Sequence, residues 1–348
     1  MNASEDSTAA VNALLKAGKS VSLITEGQYE GSFLVSYADW QSVAGDYLLS
    51  GVGVTDAPAA LAIPKAPVVY ISGKPADNDK GFVKTTLVSG SYEYNYDRQA
   101  MRTLGFTVTD DASQADLIIG AAALDEQALA AVKSGTPYIG YGSKAMKSAV
   151  SLFDEGALVR ETVSPNAMDA LAYVTYPTDS LITASYAADG DHVLYTYSCG
   201  VLTSAPAGAT VLIQAAEQDS FIAGCCLNEN GTPIDGFVEA IALERDGMDL
   251  TIFANSVNNR AHQQDDYRYV TNAIYAKMST GGTGFTDVPA SHWAAGGIAY
   301  AVENGLMTGT SRTTFAPAAP TTRGMMMTIL ARQDGVSTSG GGTWYEFD

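Results

Sequence analysis

"ADLIIGAAALDEQALAAVKSGTPYIGYG" (residues 115–142) decides the fold of the larger part of this 348-residue chain. It opens on an apolar run at 115–120, passes through a helical pattern at 124–135 and ends in a second short apolar run at 137–142. Apolar runs without polar alternation suit strands buried on both faces, and a helix between two of them is the crossover that parallel strands need. The cycle extends to either side. VVYIS (68–72) is another fully apolar strand, a helix is expected at about 91–104 up to Gly105, FTVT (106–109) is a further strand, and a helix begins at Ser143. Strands alternating with helices of ten or so residues predict an α/β fold, a doubly wound parallel sheet with right-handed crossovers.

The flanks differ. TAAVNALLKA (8–17) reads as an amphipathic helix stopped by Gly18, followed by strands at 21–25 and 31–37 and a helix from Asp39, so residues 1–60 form a small α/β lead-in. After about residue 156 the pattern becomes β-rich, with strands expected at 170–176, 192–198, 209–215, 236–244 and 248–254. The last two form a hairpin around Arg245-Asp246-Gly247, where Asp-Gly favours positive φ. A helix at 266–278 closes the domain that starts at 61, and STGGTG (279–284) is a flexible linker. Residues 285–335 then read as a separate helix–loop–helix module, and 336–348 as the start of another.

Composition excludes several classes. The chain carries 38 acidic against 19 basic residues, a net charge of −19, which repels nucleic acids and anionic membrane faces. No run approaches the roughly 18–20 apolar residues of a membrane span, and MNASEDSTAAV lacks the features of a signal peptide. The three cysteines, Cys199, Cys225 and Cys226, form no CxxC pair and read as small buried hydrophobes, with a disulfide from Cys199 to either of the others left open. With three histidines in all, no metal-binding spacing exists beyond the lone HQQD at 262–265, and neither a Walker-A loop nor GxGxxG occurs. No cofactor or metal is expected.

The C-terminal module carries the most specific pattern. Phe285, Asp287 and Val288 precede His292-Trp293-Ala294, a helix runs to Gly305, a turn passes Gly309 to Phe315 and Pro317, and Thr322-Arg323 opens a second helix. This resembles an S-layer homology (SLH) repeat, and Trp344 matches Trp293 as the start of a second, truncated repeat. The family implies an extracellular, wall-bound protein attached non-covalently to secondary cell-wall polysaccharide, often bearing pyruvate ketals, through about three repeats. A ketal carboxylate suits a guanidinium at a helix N-terminus, which makes Arg323 the candidate. Asp287 would orient it or a sugar hydroxyl, and Trp293 would stack on a ring. The plainer readings are that Trp293 is core, Asp287 a turn or cap residue and His292 a surface residue. Where the family has a small residue and an acid after Thr-Arg, this chain has Gly324 and Met325.

The alternation at 67–150 resembles a class I glutamine amidotransferase-like domain, which implies a cysteine on a strand-to-helix elbow and a later His-Glu pair. Here the elbow is GYGSKAM (140–146), with Ser143 and no cysteine, so no catalytic residue is assigned. Ser143 reads as a helix cap rather than a nucleophile served by His192 or His262. Together with AVNALLKAGKSV, GSFLVS and NRAHQQDDYRYVTNAIY, the region 5–278 resembles the C-terminal part of large secreted zinc carboxypeptidases. Such proteins carry the metallopeptidase domain first. The resemblance implies that this chain is the accessory and anchoring tail of a surface peptidase and does not itself cut peptides. The alternatives are a hydrolase or transferase using the amidotransferase-like cleft, and a small-ligand or glycan-binding module.

Overall fold

A computed structural model describes residues 5–73, 91–152, 160–162, 169–190, 192–197, 200–202, 205–224, 235–255, 257, 266–279, 285, 287–288, 294, 297–298, 301–302, 306–310 and 314–333. The chain divides into two units, Met1–Ala60 with Lys65–Met278, and Leu61–Pro64 with Ser279–Asp348.

The first unit is built on one mixed sheet. Its parallel part uses β3 (Val68–Ile71), β4 (Thr107–Thr109), β5 (Leu117–Gly120), β6 (Tyr138–Tyr141) and β14 (Met248–Phe253), preceded in the chain by β1 (Val21–Ile24) and β2 (Phe33–Val35) of a small separate sheet. Neighbours run β4–β3–β5–β6–β14, all parallel. In chain order that is 2-1-3-4-5, a doubly wound arrangement whose switch point lies between β3 and β5. The crossovers are α3 (Ser91–Thr103) and α4 (Glu126–Lys133), and α5 (Gly142–Leu152) follows β6. Tyr70, Ile118, Tyr138, Leu250 and Ile252 share one core cluster with Ala128 and Val132 of α4 and Ala145, Met146 and Ala149 of α5. Alternate residues, including Val69, Ile71, Ile119 and Ile139, are equally buried and face the other side, as the pleat requires.

The β-rich half extends the same sheet. It comprises β7 (Arg160–Thr162), β8 (Asp169–Thr175), β9 (Val193–Tyr197), β10 (Gly200–Leu202), β11 (Thr210–Ala215), β12 (Phe221–Gly224) and β13 (Val238–Arg245). The path continues β14–β13–β11–β8–β9, with all these pairs antiparallel. β13 and β14 form the expected hairpin: Asp246 and Gly247 both take left-handed backbone, φ 53° and 78°, as a two-residue primed turn demands.

The stretch 1–60, expected as a lead-in of its own, clusters with 65–278. α1 (Glu5–Lys16) docks on the end of α3, where Asn12 Nδ2 donates to Leu104 O (2.8 Å) and Lys16 Nζ to Gly105 O (2.6 Å). Gly105 sits at φ +80°, and a Cβ there would meet Asn12 at 3.2 Å, so glycine serves both the helix stop and the close approach. Phe33 and Phe106 pack on Tyr275 of α7 (Tyr267–Met278), with ring centroids 5.0 and 5.8 Å away. α2 (Tyr37–Val43) and α6 (Ala184–Asp189) complete the unit's described α-helices.

In the second unit, residues 297–298 and 301–302 are helical, and α8 spans Arg323–Gln333. Phe285, Val288 and Ile298 form its core with Ala294, Val302 and Phe315. Arg332 Nη1 donates to Leu306 O (3.1 Å), tying the end of α8 back to the segment after the first helical residues.

One glycine of the central sheet is tightly constrained. A Cβ on Gly140 would lie 2.6 Å from the ring of Tyr138, which is fully buried across it. Gly140→Ala is expected to cost about 1–3 kcal/mol of overpacking, read as a lowered urea midpoint with unchanged slope.

Candidate functional site

In doubly wound sheets ligands bind beyond the carboxyl ends of the strands, at the switch point. Here that edge is occupied by two aspartates. Asp97, on α3 and 1% exposed, accepts the Ala121 N–H at Oδ2 (2.9 Å) and the Tyr141 hydroxyl at Oδ1 (2.6 Å). Gly120 beside it makes room, since a Cβ there would come within 3.2 Å of Asp97 Oδ2. Asp125 accepts the Gly73 N–H (3.0 Å) and the Tyr70 hydroxyl (2.9 Å) at Oδ2, and caps α4 by accepting the Ala128 N–H at Oδ1 (2.9 Å). Ser72 Oγ donates to Ala123 O (2.9 Å) and accepts the Asp125 N–H (3.2 Å). The polar groups at the ends of β3 and β5 are thus bonded to one another. Beside them the Tyr138 phenol is held neutral, first by burial and then by the Asp97 carboxylate.

Of the catalytic alternatives from the sequence, only His192 has a described side chain, and it lies apart from α5. Ser143 follows Gly142 at the start of α5, and its side chain lies outside the described ones. His192 is exposed at the entry to β9, five strand positions from β6, with its ring 5.5 Å from that of Tyr176. Cys199, Cys225, Cys226, His262 and the rest of HQQD lie outside the described residues. Among the described residues no group of three or more His, Cys, Asp or Glu side chains is arranged to hold a metal ion. No helix among them is long and apolar enough to cross a membrane.

Sequence reasoning missed a third acid. Glu239 of β13 is 1% exposed, and neither carboxyl oxygen has a hydrogen-bond partner among the described residues. Its carbonyl accepts the Ala254 N–H (2.7 Å), which places it one row beyond the Ala240–Phe253 pair. Burial pushes its carboxyl up to about 8 from the usual 4.5. The unfolded chain therefore loses this proton near pH 4.5 while the folded chain keeps it until about pH 8. The favourable neutral state contributes fully below the lower value, and stability falls with a steady slope as pH rises across the window. Glu239→Gln is expected to remove most of that slope and to raise the melting temperature at pH 8, measured against the native chain from pH 5 to 8.

In the second unit both oxygens of Asp287 are engaged by backbone. Oδ1 accepts the Phe315 N–H (2.8 Å) and Oδ2 the Ala316 N–H (2.6 Å). Ala316 is a non-glycine residue at φ 62°, and the carboxylate clamp holds that turn. Arg323 is exposed at the first residue of α8, which Thr322 caps through its hydroxyl by accepting the Met325 N–H (3.2 Å). Trp293, His292 and Trp344 lie outside the described residues. Asp287→Ala is expected to destabilise this unit by about 2–4 kcal/mol, seen as a separate, lowered transition when the full chain is melted in a calorimeter.

Residues 284–325 match the S-layer homology domain family. This segment associates the chain with the cell surface as an anchoring module. No curated protein matches the chain. Among solved structures, a protein described as a GMP synthase component from Thermoplasma acidophilum is similar over 61% of this chain and 94% of its own, at 12% identity and a TM-score of 0.36. An exo-β-1,4-mannosidase from Opitutaceae bacterium strain TAV5 aligns over 61% of this chain and 36% of its own, at 12% identity and TM-score 0.34. A cytoplasmic protein from Salmonella typhimurium LT2 aligns over 60% and 98%, at 11% and 0.35.

Proposed function

We propose that the chain is the non-catalytic accessory and wall-anchoring region of a bacterial surface protein, with its SLH unit binding secondary cell-wall polysaccharide outside the cell. The observation that carries this reading is the SLH match at 284–325 together with Arg323, exposed at the capped start of α8 and without an ion pair among the described residues. A pyruvate ketal presents a carboxylate, which a guanidinium binds through two parallel hydrogen bonds, and the first free N–H groups of α8 favour the same charge. Asp287 serves by fixing the turn before α8, and Trp293 by stacking on a sugar ring.

Further SLH repeats belong to this reading. α8 has no buried residue, and Met325, Met326, Met327 and Leu330 are all exposed. An eleven-residue helix is marginal in water without an apolar face covered, and neighbouring repeats would supply the cover. The parent protein is, on this reading, a zinc carboxypeptidase-like enzyme whose catalytic domain lies upstream, and the amidotransferase-like region serves it as an accessory. The bonds of Asp97 to the Tyr141 hydroxyl and the Ala121 N–H, and of Ser72 to the Asp125 N–H, favour a supporting role over catalysis at the switch point.

Co-sedimentation with purified pyruvylated wall material tests the anchor. Arg323→Ala should weaken binding by about tenfold or more, since a charge-assisted pair contributes ~1.5–3 kcal/mol. Equal retention of the variant and the native chain on that material would remove Arg323 from the site, and no retention of either would remove the anchor.

A further inference from the structure

We propose that Tyr37 and Trp40, on α2 of the first unit, form a platform for a neutral glycan chain of hexopyranose units. The proposal rests on the cell-surface association of the chain and is independent of Arg323. The Tyr37 ring is 71% exposed, yet it is held on two sides. Its plane lies within 18° of the Trp40 indole, with centroids 6.0 Å apart, and its hydroxyl accepts the Gln41 amide at 3.1 Å. Trp40 in turn lies against the backbone at Gly51, where a Cβ would come within 3.1 Å of the indole nitrogen. Ordering a large aromatic ring without burying it costs entropy that packing does not return. A rigid, exposed aromatic with only two side-chain torsions is instead what a binding surface uses.

The surroundings choose the ligand. Leu48 and Val52, which flank Gly51 in the chain, are exposed apolar residues too, 88% and 67%. The rim is polar and mixed in sign: Ser36 Oγ donates to Asp39 Oδ2 (2.7 Å), and Lys19 Nζ pairs with Asp39 Oδ1 (3.3 Å). Gln41, Asp39 and Lys19 are groups that bond hydroxyls, set beside a flat aromatic face that takes the C–H side of a sugar ring. A nucleic acid would meet a chain of net charge −19, and among the described residues the rim holds no cationic cluster to offset it. A sugar polymer without charge satisfies both the apolar face and the hydroxyl-bonding edge.

The test uses the full chain and its Tyr37→Ala, Tyr37→Phe and Arg323→Ala variants, titrated by calorimetry with chitohexaose, cellohexaose and mannohexaose. The expected result is binding of at least one oligomer, weakened about tenfold or more by Tyr37→Ala. Tyr37→Phe, which keeps the ring, and Arg323→Ala, which lies in the other unit, should bind within about threefold of the native chain. Matching melting curves would show that Tyr37→Ala folds. Binding of none of the three oligomers overturns the proposal, as does Tyr37→Ala binding like the native chain. A dimer in sedimentation that Tyr37→Ala dissolves would also overturn it, because the patch would then be covered by a second copy. Failure of the wall-polymer assay with a normal oligosaccharide titration would sink the Arg323 reading alone.

Discussion

Strand β14, Met248–Phe253, is the element on which the first unit depends. It pairs in parallel with β6 on one side and antiparallel with β13 on the other, so a doubly wound sheet and an antiparallel extension become one surface. A strand in that position has no solvent face to spend on polar residues, and all but Asp249 are buried. Asp249 lies at the entry and pairs with Lys277 of α7, which itself is largely buried. The hairpin turn at Asp246-Gly247 fixes the register of β13 against β14, and the row of Ile241, Leu243, Leu250 and Ile252 then meets α5 on one face.

The same geometry governs what the switch point holds. Where a doubly wound sheet commonly opens a crevice, Asp97 and Asp125 turn their carboxylates onto backbone N–H groups and tyrosine hydroxyls. Asp97 is buried and Asp125 half-buried, and bonding of this kind offsets the cost of taking a carboxylate out of water, which makes the arrangement a brace across β3, β5 and β6. Glu239 is the exception: its carboxyl has no partner among the described residues, and burial pushes its pKa up. The SLH unit uses an acid in the same way: Asp287 fixes a turn, and the exposed charge is left to Arg323.

Much of this was legible in the chain. Fully apolar runs at VVYIS, ADLIIG and PYIGYG announced buried parallel strands, and the observed strands fall inside them at Val68–Ile71, Leu117–Gly120 and Tyr138–Tyr141. Glycines after helical patterns marked helix ends at Gly18 and Gly105, both at positive φ. The Asp-Gly turn and the opening of the second helix at Thr322-Arg323 were readable because each depends on a few adjacent residues, and the structure makes Thr322 rather than Thr321 the cap. The SLH module was readable because its anchors recur at fixed spacing, and residues 284–325 carry them.

The sequence by itself determined local structure and the surface-anchoring module, since both are set by periodicity, turn chemistry and short-range spacing. Only the tertiary structure decided the rest. It joined residues 1–60 to the sheet domain through Asn12, Lys16 and Tyr275, contacts that span 92, 89 and 267 positions of chain. It also set His192 apart from α5, brought Asp97 to Tyr141, and buried Glu239 without a partner among the described residues. These are relations between side chains far apart in sequence, and no local pattern of residue types encodes whether a given acid will meet a hydroxyl, a backbone N–H or an apolar wall.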